Sequence, residues 1–468
     1  MDNKILKKGY IEFCGNSATE VTGSAYLIRF LGYHILVDYG MKQTSNDEAD
    51  YIDNLKRHKS IKPKKLDAII LTHCHIDHSG LIPKLYKEGA ECPLYIPKGS
   101  KGLLTLMWQD SAKIFAQDYE RFGRVPLYSQ SDIDEALRHI VECDLYDEVE
   151  MNEHIYFTYL NAQHIVCARQ VYMRLTGNVR GYRIGFTGDI SDYSYRYWLE
   201  DRDNLPTCDI VVGECTYANS KRVHKGLKDR ENDLKKLDMA IDYALEHNSK
   251  VILPTFSLNR MQDVLAMLWE HFDGNSPIKI LVDSPLGKSI CDIWSNLIDR
   301  DFNLWEQIYH NWEDVYFITD FKDTQHFSRV NETMLILAGG GMLSGGRARY
   351  WCKECLPHKN DYIIFTGYST PESPAGQIKS GKLREIRLDG ENVKINAKTT
   401  TLNSLSSHCD YNELLYYYAD TLKYNKLYLV HSNQEDKLQF ATALKNRLAL
   451  KNKTCKVIAT TNDTKAHL

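Results

Sequence analysis

Leu71 to Gly80 reads LTHCHIDHSG and sets three histidines and one aspartate within the six positions His73 to His78. Such a density of ligand-type side chains is costly unless something binds them. The preceding DAIILT (67–72) is a short apolar run, which predicts a buried strand, so the histidines lie on the loop that leaves it. On such a loop alternate residues can point one way. His73 and His75 can then share one ion, with Asp77 and His78 facing a second. Neutral imidazole and carboxylate are ligands that zinc accepts in near-tetrahedral geometry. Four such residues in one loop exceed the need of one open catalytic site, which points to a dinuclear centre. Behind them SGLIPKLYKEG (79–89) predicts a helix stopped by Gly89.

Apolar runs of the same kind recur along the chain: HILVD (34–38), YRIGFTG (182–188), DIVVGE (209–214), KVILPT (250–255), IKILVD (278–283), TMLILAG (333–339), DYIIFTG (361–367) and KLYLVH (426–431). Helical spacing separates them at 230–247 and 260–272, and 131–140 begins with Ser131 or Asp132 as N-cap. This alternation predicts an α/β protein with largely covered sheets. The last strand is expected near CKVIATT (455–461), followed by a frayed tail. Five polar residues stand directly after a strand-like run: Asp38, His73, Asp189, Glu214 and His431. In α/β sheets functional groups gather at the carboxyl ends of strands, so five of them there indicate one shared site.

Composition narrows the class. The 468 residues suffice for two or three domains, and 58 Lys+Arg against 62 Asp+Glu leave a net charge of -4. A chain so balanced has no broad basic coat, so any grip on nucleic acid is local to a cleft. It has no long apolar span and no signal-peptide pattern at its start, so a cytoplasmic location and no membrane partner are expected. The 12 cysteines are scattered, as reduced thiols are. Cys352 and Cys355, with His358 three residues on, have metal-like spacing, but no second CxxC completes a structural zinc site.

The pattern H-x-H-x-D-H resembles the signature of the metallo-β-lactamase-fold hydrolases, and the likeness extends beyond the loop. Asp38 in LVDYG matches the family's loop-orienting aspartate, His164 in NAQHIVCA a further metal ligand, and Asp189 in FTGDIS a bridging carboxylate. Gln163 and Cys167 stand where that family usually has glycine. The more than 270 residues after Asp189 resemble the β-CASP ribonucleases, which include the RNA 3′-end-processing endonucleases. Glu214 in GECTY, His408 in LSSHCDYNELL and His431 in LVHSNQED match the three added motifs. LPTFSLNRMQDVL (253–265), with Asn259 in place of the usual glycine, and AGGGMLSGGRARYW (338–351) match further segments. The DNA-repair branch typically carries valine at the third motif, so His431 points to RNA.

The resemblance implies an αββα metallo-β-lactamase sandwich (1–213 and 396–468) interrupted by a β-CASP cap (214–395), with substrate threading the cleft between them. It implies two zinc ions: His73, His75 and His164 on one, Asp77, His78 and His431 on the other, Asp189 bridging. His408 becomes the general acid, oriented by Glu214, and the catalytic set is Asp77, Asp189, Glu214 and His408. Ser257, Arg260, Ser344, Gly345 and Arg347 are candidate phosphate contacts, since glycine-rich backbone and arginine suit phosphate. The expected function is zinc-dependent hydrolysis of RNA, single-stranded rather than duplex, in RNA processing or decay. The alternatives are a DNA nuclease, a small-ester or thioester hydrolase, and a non-catalytic RNA-binding relative with a decayed site. Endo- or exonuclease mode is not readable; nor is oligomeric state, with which a homodimer is compatible.

Overall fold

A computed structural model describes residues 9–44, 46–177, 180–192, 197–223, 226–367 and 369–468. It comprises two compact units. The first is made of Met1–Tyr193, Glu200–Val223 and Ser407–Leu468, the second of Ser194–Leu199 and His224–Ser406. Glu214, His408 and His431 therefore all belong to the first.

The first unit is built on two seven-stranded sheets. One runs in the order Lys465–His467, Tyr10–Phe13, Tyr26–Phe30, Tyr33–Val37, Ala68–Ile70, Leu94–Pro97, Ile140–Cys143. The other runs Lys456–Ala459, Tyr424–Val430, Cys208–Glu214, Gly181–Phe186, Arg169–Thr176, Ile155–Asn161, Glu148–Asn152. Successive strand side chains point to opposite faces, and the inward set is apolar. Ile11, Phe13, Ile28 and Ile35 from the first sheet share one core with Phe157, Val171, Met173 and Ile210 from the second. Each such side chain contributes roughly 1.5–3 kcal/mol on burial. Helices lie along the outer faces, which gives the αββα layering.

Parallel pairing fixes where the functional loops emerge. Tyr33–Val37 pairs in parallel with Ala68–Ile70, so Asp38 and the His73 loop leave the same edge. In the second sheet Cys208–Glu214 lies between Gly181–Phe186 and Tyr424–Val430, parallel to both, with Glu214 opposite Val430. Asp189, Glu214 and His431 therefore also leave one edge together.

The second unit has a six-stranded, wholly parallel sheet in the order Val315–Ile318, Lys279–Asp283, Met334–Gly339, Lys250–Thr255, Tyr362–Phe365, Lys398–Thr401. Helices Arg260–Phe272 and Gly346–Cys355 connect its strands, and Leu227–His247 leads into Lys250–Thr255. Cys352 and Cys355 face the core of this unit and are buried, while His358 is exposed, so the three do not form a metal site.

Two expectations need correction. The C-terminus is not a frayed tail: Lys465–His467 pairs antiparallel with Tyr10–Phe13, and Leu468 N–H donates to Gly9 O at 2.9 Å. Buried Ala466 anchors this short edge strand, too brief for apolar periodicity to reveal. The helix at 131–140 starts earlier, at Gln130, because Ser129 is the N-cap and Asp132 returns the bond from N3. Among the described residues no helix is long and apolar enough to cross a membrane.

Candidate metal centre

Asp38 organises the histidine loop. It stands at φ 57 just past its strand, and its own N–H donates to Ile70 O at 2.9 Å. Its carboxylate accepts Thr72 N–H on Oδ1 and Thr72 Oγ1–H on Oδ2, both at 2.8 Å, and lies 2.8 Å from His78 Nδ1. The loop's carbonyl groups are pinned as well. Ser24, Tyr39 and Met41 donate their N–H groups to Asp77, His78 and Ile76, at 2.8, 2.8 and 2.9 Å. This approach requires Gly40, since a Cβ there would fall 1.6 Å from Asp77 O. His75 is the N-cap residue of the single turn Ile76–Ser79, which carries Asp77 and His78, and the His73 and His78 rings lie 4.1 Å apart, centroid to centroid.

The ligand atoms of His73, His75, His164 and Asp189 all lie within 4.8 Å of one another, and so do those of Asp77, His78, Asp189 and His431. Asp189 serves both groups with different oxygens. Its Oδ2 is 3.8 Å from His73 Nε2 and 3.7 Å from His164 Nε2, while Oδ1 is 3.4 Å from His78 Nε2 and 3.5 Å from His431 Nδ1. His164 Nε2 and His75 Nδ1 converge to 3.1 Å, and His431 Nε2 lies 3.2 Å from Asp77 Oδ2.

Electrostatics and unmet hydrogen bonding describe what is wanted here. Burial holds His73 and His164 far below the ordinary imidazole range and pushes His75 down to about 4. These rings therefore offer lone pairs, not charges, at neutral pH. At His78 burial opposes the charged ring, but Asp189 and Asp38 outweigh it and raise its pKa. His73 Nε2 and Asp189 Oδ1 are buried with no hydrogen-bond partner. Orphaned buried polar atoms are costly, and a divalent cation within each group satisfies both. The donor set, imidazole with carboxylate, suits such an ion.

A third group overlaps the first two. Ligand atoms of Asp189, Glu214 and His408 also lie within 4.8 Å of one another. Glu214 is buried, and its carboxylate is fully used. Oε1 accepts Ile190 N–H at 2.9 Å and lies 3.0 Å from His408 Nδ1, while Oε2 accepts Thr216 N–H at 2.9 Å. Burial opposes a charge on His408, but Glu214, with Asp189 and Asp77, prevails and raises its pKa.

Several contributors carry no motif that sequence reasoning could use. Ser407 accepts His164 Nδ1–H on its carbonyl at 2.5 Å, and Cys409 N–H donates to Ile190 O at 2.8 Å. These are backbone roles without a side-chain signature. Thr216, whose Oγ1 lies 2.9 Å from His431 Nδ1, is within the quoted GECTY, so its neighbourhood was visible.

The phosphate candidates belong to the second unit. Ser257 Oγ is 2.9 Å from Ser284 Oγ, and Ser344 and Gly345 are exposed ahead of helix Gly346–Cys355. The two arginines are turned to that unit's own groups. Arg260 donates to Thr366 O, and Arg347 to Thr324 Oγ1 and Thr319 O, both at 2.7 Å.

Asn259, Gln163 and Cys167, which replace glycine in the expected patterns, have φ of 65, 60 and 58. The left-handed backbone is kept although the residue that favours it is gone.

Family profiles match three stretches of the chain: the metallo-beta-lactamase superfamily over residues 18–144, the Beta-Casp domain over 261–378, and the Zn-dependent metallo-hydrolase RNA specificity domain over 392–455. Among curated proteins the chain is similar to ribonuclease TTHA0252 of Thermus thermophilus, with 26% identity over 92% of this chain and 94% of that one. It is also similar to transcription termination factor FttA of Pyrococcus abyssi, with 27% identity over 92% of this chain and 68% of the relative. Among solved structures, a crystal structure of a protein of unknown function from Enterococcus faecalis V583 superposes with a TM-score of 0.55 at 14% identity. It covers 98% of this chain and 100% of that one, and speaks to the fold alone.

Proposed function

Because this chain belongs to the metallo-β-lactamase-fold β-CASP ribonuclease family, we propose that it is a metal-dependent nuclease that hydrolyses phosphodiester bonds of single-stranded RNA in RNA processing or decay. His73, His75 and His164 would hold one zinc ion and Asp77, His78 and His431 a second, with Asp189 between them. Two such ions, when bound, lower the pKa of water and neutralise charge on a phosphate.

The protein's own residues supply orientation and a proton. Glu214 takes the Nδ1 hydrogen of His408 and so makes Nε2 the nitrogen that passes a proton to the departing oxygen. The same carboxylate keeps the ring protonated against the effect of burial. Through the Ile190 N–H it also fixes the backbone next to Asp189, so acid and bridging carboxylate are positioned together. Asp38 and the Ser407 carbonyl hold the outer nitrogens of His78 and His164, which leaves their Nε2 atoms directed inward. Phosphate contact falls first to exposed Ser344 and Gly345, then to Ser257. Arg260 and Arg347 would have to exchange protein oxygens for phosphate oxygens.

The observation that carries this reading is that one carboxylate, Asp189, belongs at once to both histidine-rich groups and to the Glu214–His408 pair. The test is cleavage of RNA labelled at one end or the other by zinc-loaded protein and by His408→Ala. Cleavage that His408→Ala loses while retaining two zinc ions supports the reading, and ladder or mononucleotide products give the mode. Intact RNA beside hydrolysed DNA or thioester would overturn it.

A further inference from the structure

The balanced total charge hides one local excess. Between Asp53 and Asp67 the chain has no carboxylate side chain, and six of the ten residues from Lys56 to Lys65 are lysine or arginine. This tract links helix Asp47–Leu55 to strand Ala68–Ile70 in the first unit. Two of the six have partners: Lys56 Nζ lies 3.4 Å from Asp53 Oδ1, and Arg57 pairs with Glu88. Lys59, Lys62, Lys64 and Lys65 are exposed, and their ammonium groups make no hydrogen bond or ion pair with a described residue.

The tract is pinned from beneath. Ile61, Pro63 and Leu66 are buried, Ile61 N–H donates to His58 O at 3.0 Å, and Lys65 N–H to Lys62 O at 2.8 Å. Arg29 donates Nη2–H to Ser60 O at 2.9 Å. A helix C-terminus ordinarily recruits basic side chains to its open carbonyl groups, but here buried Lys84 does so. Its Nζ donates to the carbonyls of Asn54, Leu55 and Lys56 at 2.6, 2.7 and 3.3 Å. The four outer lysines are therefore not needed to cap the helix. Like charges on so short a loop repel one another, and anionic groups laid across them relieve that. The tract's own apolar residues are buried, so it offers charge rather than apolar surface. A protein interface needs an apolar centre, whereas a phosphate backbone is gripped by cations alone.

This surface is not the rim of the metal centre. Tyr33–Val37 and Ala68–Ile70 run parallel; Asp38 and the His73 loop leave their carboxyl ends, while the tract enters at the amino end. The three-residue strand Ala68–Ile70 by itself spans about 10 Å, a full screening length near 0.1 M salt. The lysines therefore act on RNA by contact and not through their field at the centre.

We propose that Lys59, Lys62, Lys64 and Lys65 form a second RNA surface, which binds backbone phosphates of the strand outside the segment being cut. The proposal rests on the ribonuclease reading above.

The test compares zinc-loaded wild type with the variant carrying Lys59→Gln, Lys62→Gln, Lys64→Gln and Lys65→Gln. Cleavage of a long unstructured RNA, and of an oligonucleotide only long enough to fill the centre, is followed across roughly 50–200 mM salt. On the long RNA the variant raises KM roughly 10²-fold at the low-salt end. It also flattens the slope of log(kcat/KM) against log salt by about 1.4–2.8, the increment for two to four single-strand phosphate contacts at about 0.7 each. On the oligonucleotide both quantities stay at the wild-type values. Wild-type KM and slope on the long RNA overturn the proposal. An equal loss on both substrates overturns it too, since the lysines would then lie on the path into the centre. A variant that loses only binding of poly-glutamate marks an acidic protein as the partner, and the proposal falls. If the four-fold variant does not fold, Lys59→Glu with Lys62→Glu, which leaves the Lys64 stem on Gly89, decides by the same readouts. Wild type that leaves RNA intact refutes the ribonuclease reading; fluorescence anisotropy of the uncut RNA with both proteins then decides the lysine surface separately.

Discussion

Glu214 Oε1 holds His408 Nδ1 at 3.0 Å and the Ile190 N–H at 2.9 Å on one oxygen. These two bonds tie His408, the proposed proton donor, to the backbone beside Asp189. Glu214→Gln keeps the shape and removes the charge. RNA cleavage should fall about 10²–10³-fold with metal content unchanged. Because the carboxylate raises the His408 pKa, the alkaline limb of the pH–rate profile should move to lower pH. A uniform loss across pH would instead make Glu214 a merely structural residue.

The two histidine groups share only Asp189. His431→Ala should reduce bound zinc from about two per chain towards one, whereas Asp189→Ala should lose both. Chelation of the wild type leaves buried His73 Nε2 and Asp189 Oδ1 without partners. The melting temperature should then drop by roughly 5–10 °C, restored by zinc. Metal analysis and thermal melts check this; an unchanged metal count in Asp189→Ala contradicts the shared carboxylate.

Gln163 sits at φ 60 and is buried beside His164. Left-handed backbone costs a side-chain-bearing residue about 1–2 kcal/mol, and glycine returns part of that as lost freedom of its own. Gln163→Gly should stabilise by about 0.5–1 kcal/mol in chemical denaturation. Its side-chain bond to Asp201 Oδ1, at 3.4 Å, is too long to offset this. Destabilisation would show that the glutamine side chain matters more than its backbone.

Glu413 returns the cap of helix Tyr411–Tyr416 by accepting Asp410 N–H at 2.7 Å. Burial, helped by Asp410 and Asp192 and opposed by Arg202 and the Asp410 N–H, pushes its pKa up to about 7. The unfolded side chain ionises near 4.5, so between pH 4.5 and 7 the folded state holds the extra proton. Stability therefore falls as pH rises through that window, by about 2 kcal/mol after allowance for partial exposure, and then levels off. Glu413→Gln should match the parent at pH 4.5 and exceed it at pH 8. Denaturation midpoints at both values decide; an equal difference at each would place the titration elsewhere.

Much of the site could be read from the chain because its chemistry needs side chains of one kind at fixed strand exits. Asp38, His73, Asp189, Glu214 and His431 follow buried runs that are recognisable without a partner strand. What escaped was whatever depends on backbone. The Ser407 carbonyl and the Ile190 peptide present no residue type to recognise. The edge strand Lys465–His467 is too short to show a period. Strand Ile155–Asn161 alternates buried and half-buried residues, yet its tyrosines and asparagine disguise it. Gln163, Cys167 and Asn259 show the converse, where the expected residue is absent and its conformation remains.

His431 and Asp77, 3.2 Å apart, are separated by 354 residues. At about 5–20 residues per second a ribosome takes roughly 20–70 s to cover that distance. The group His73, His75, His164 and Asp189 is complete early in synthesis, while the other waits for His431. His408, the proposed proton donor, also arrives late. On the proposed function, the residues needed for cleavage are all present only when synthesis of the chain is nearly complete.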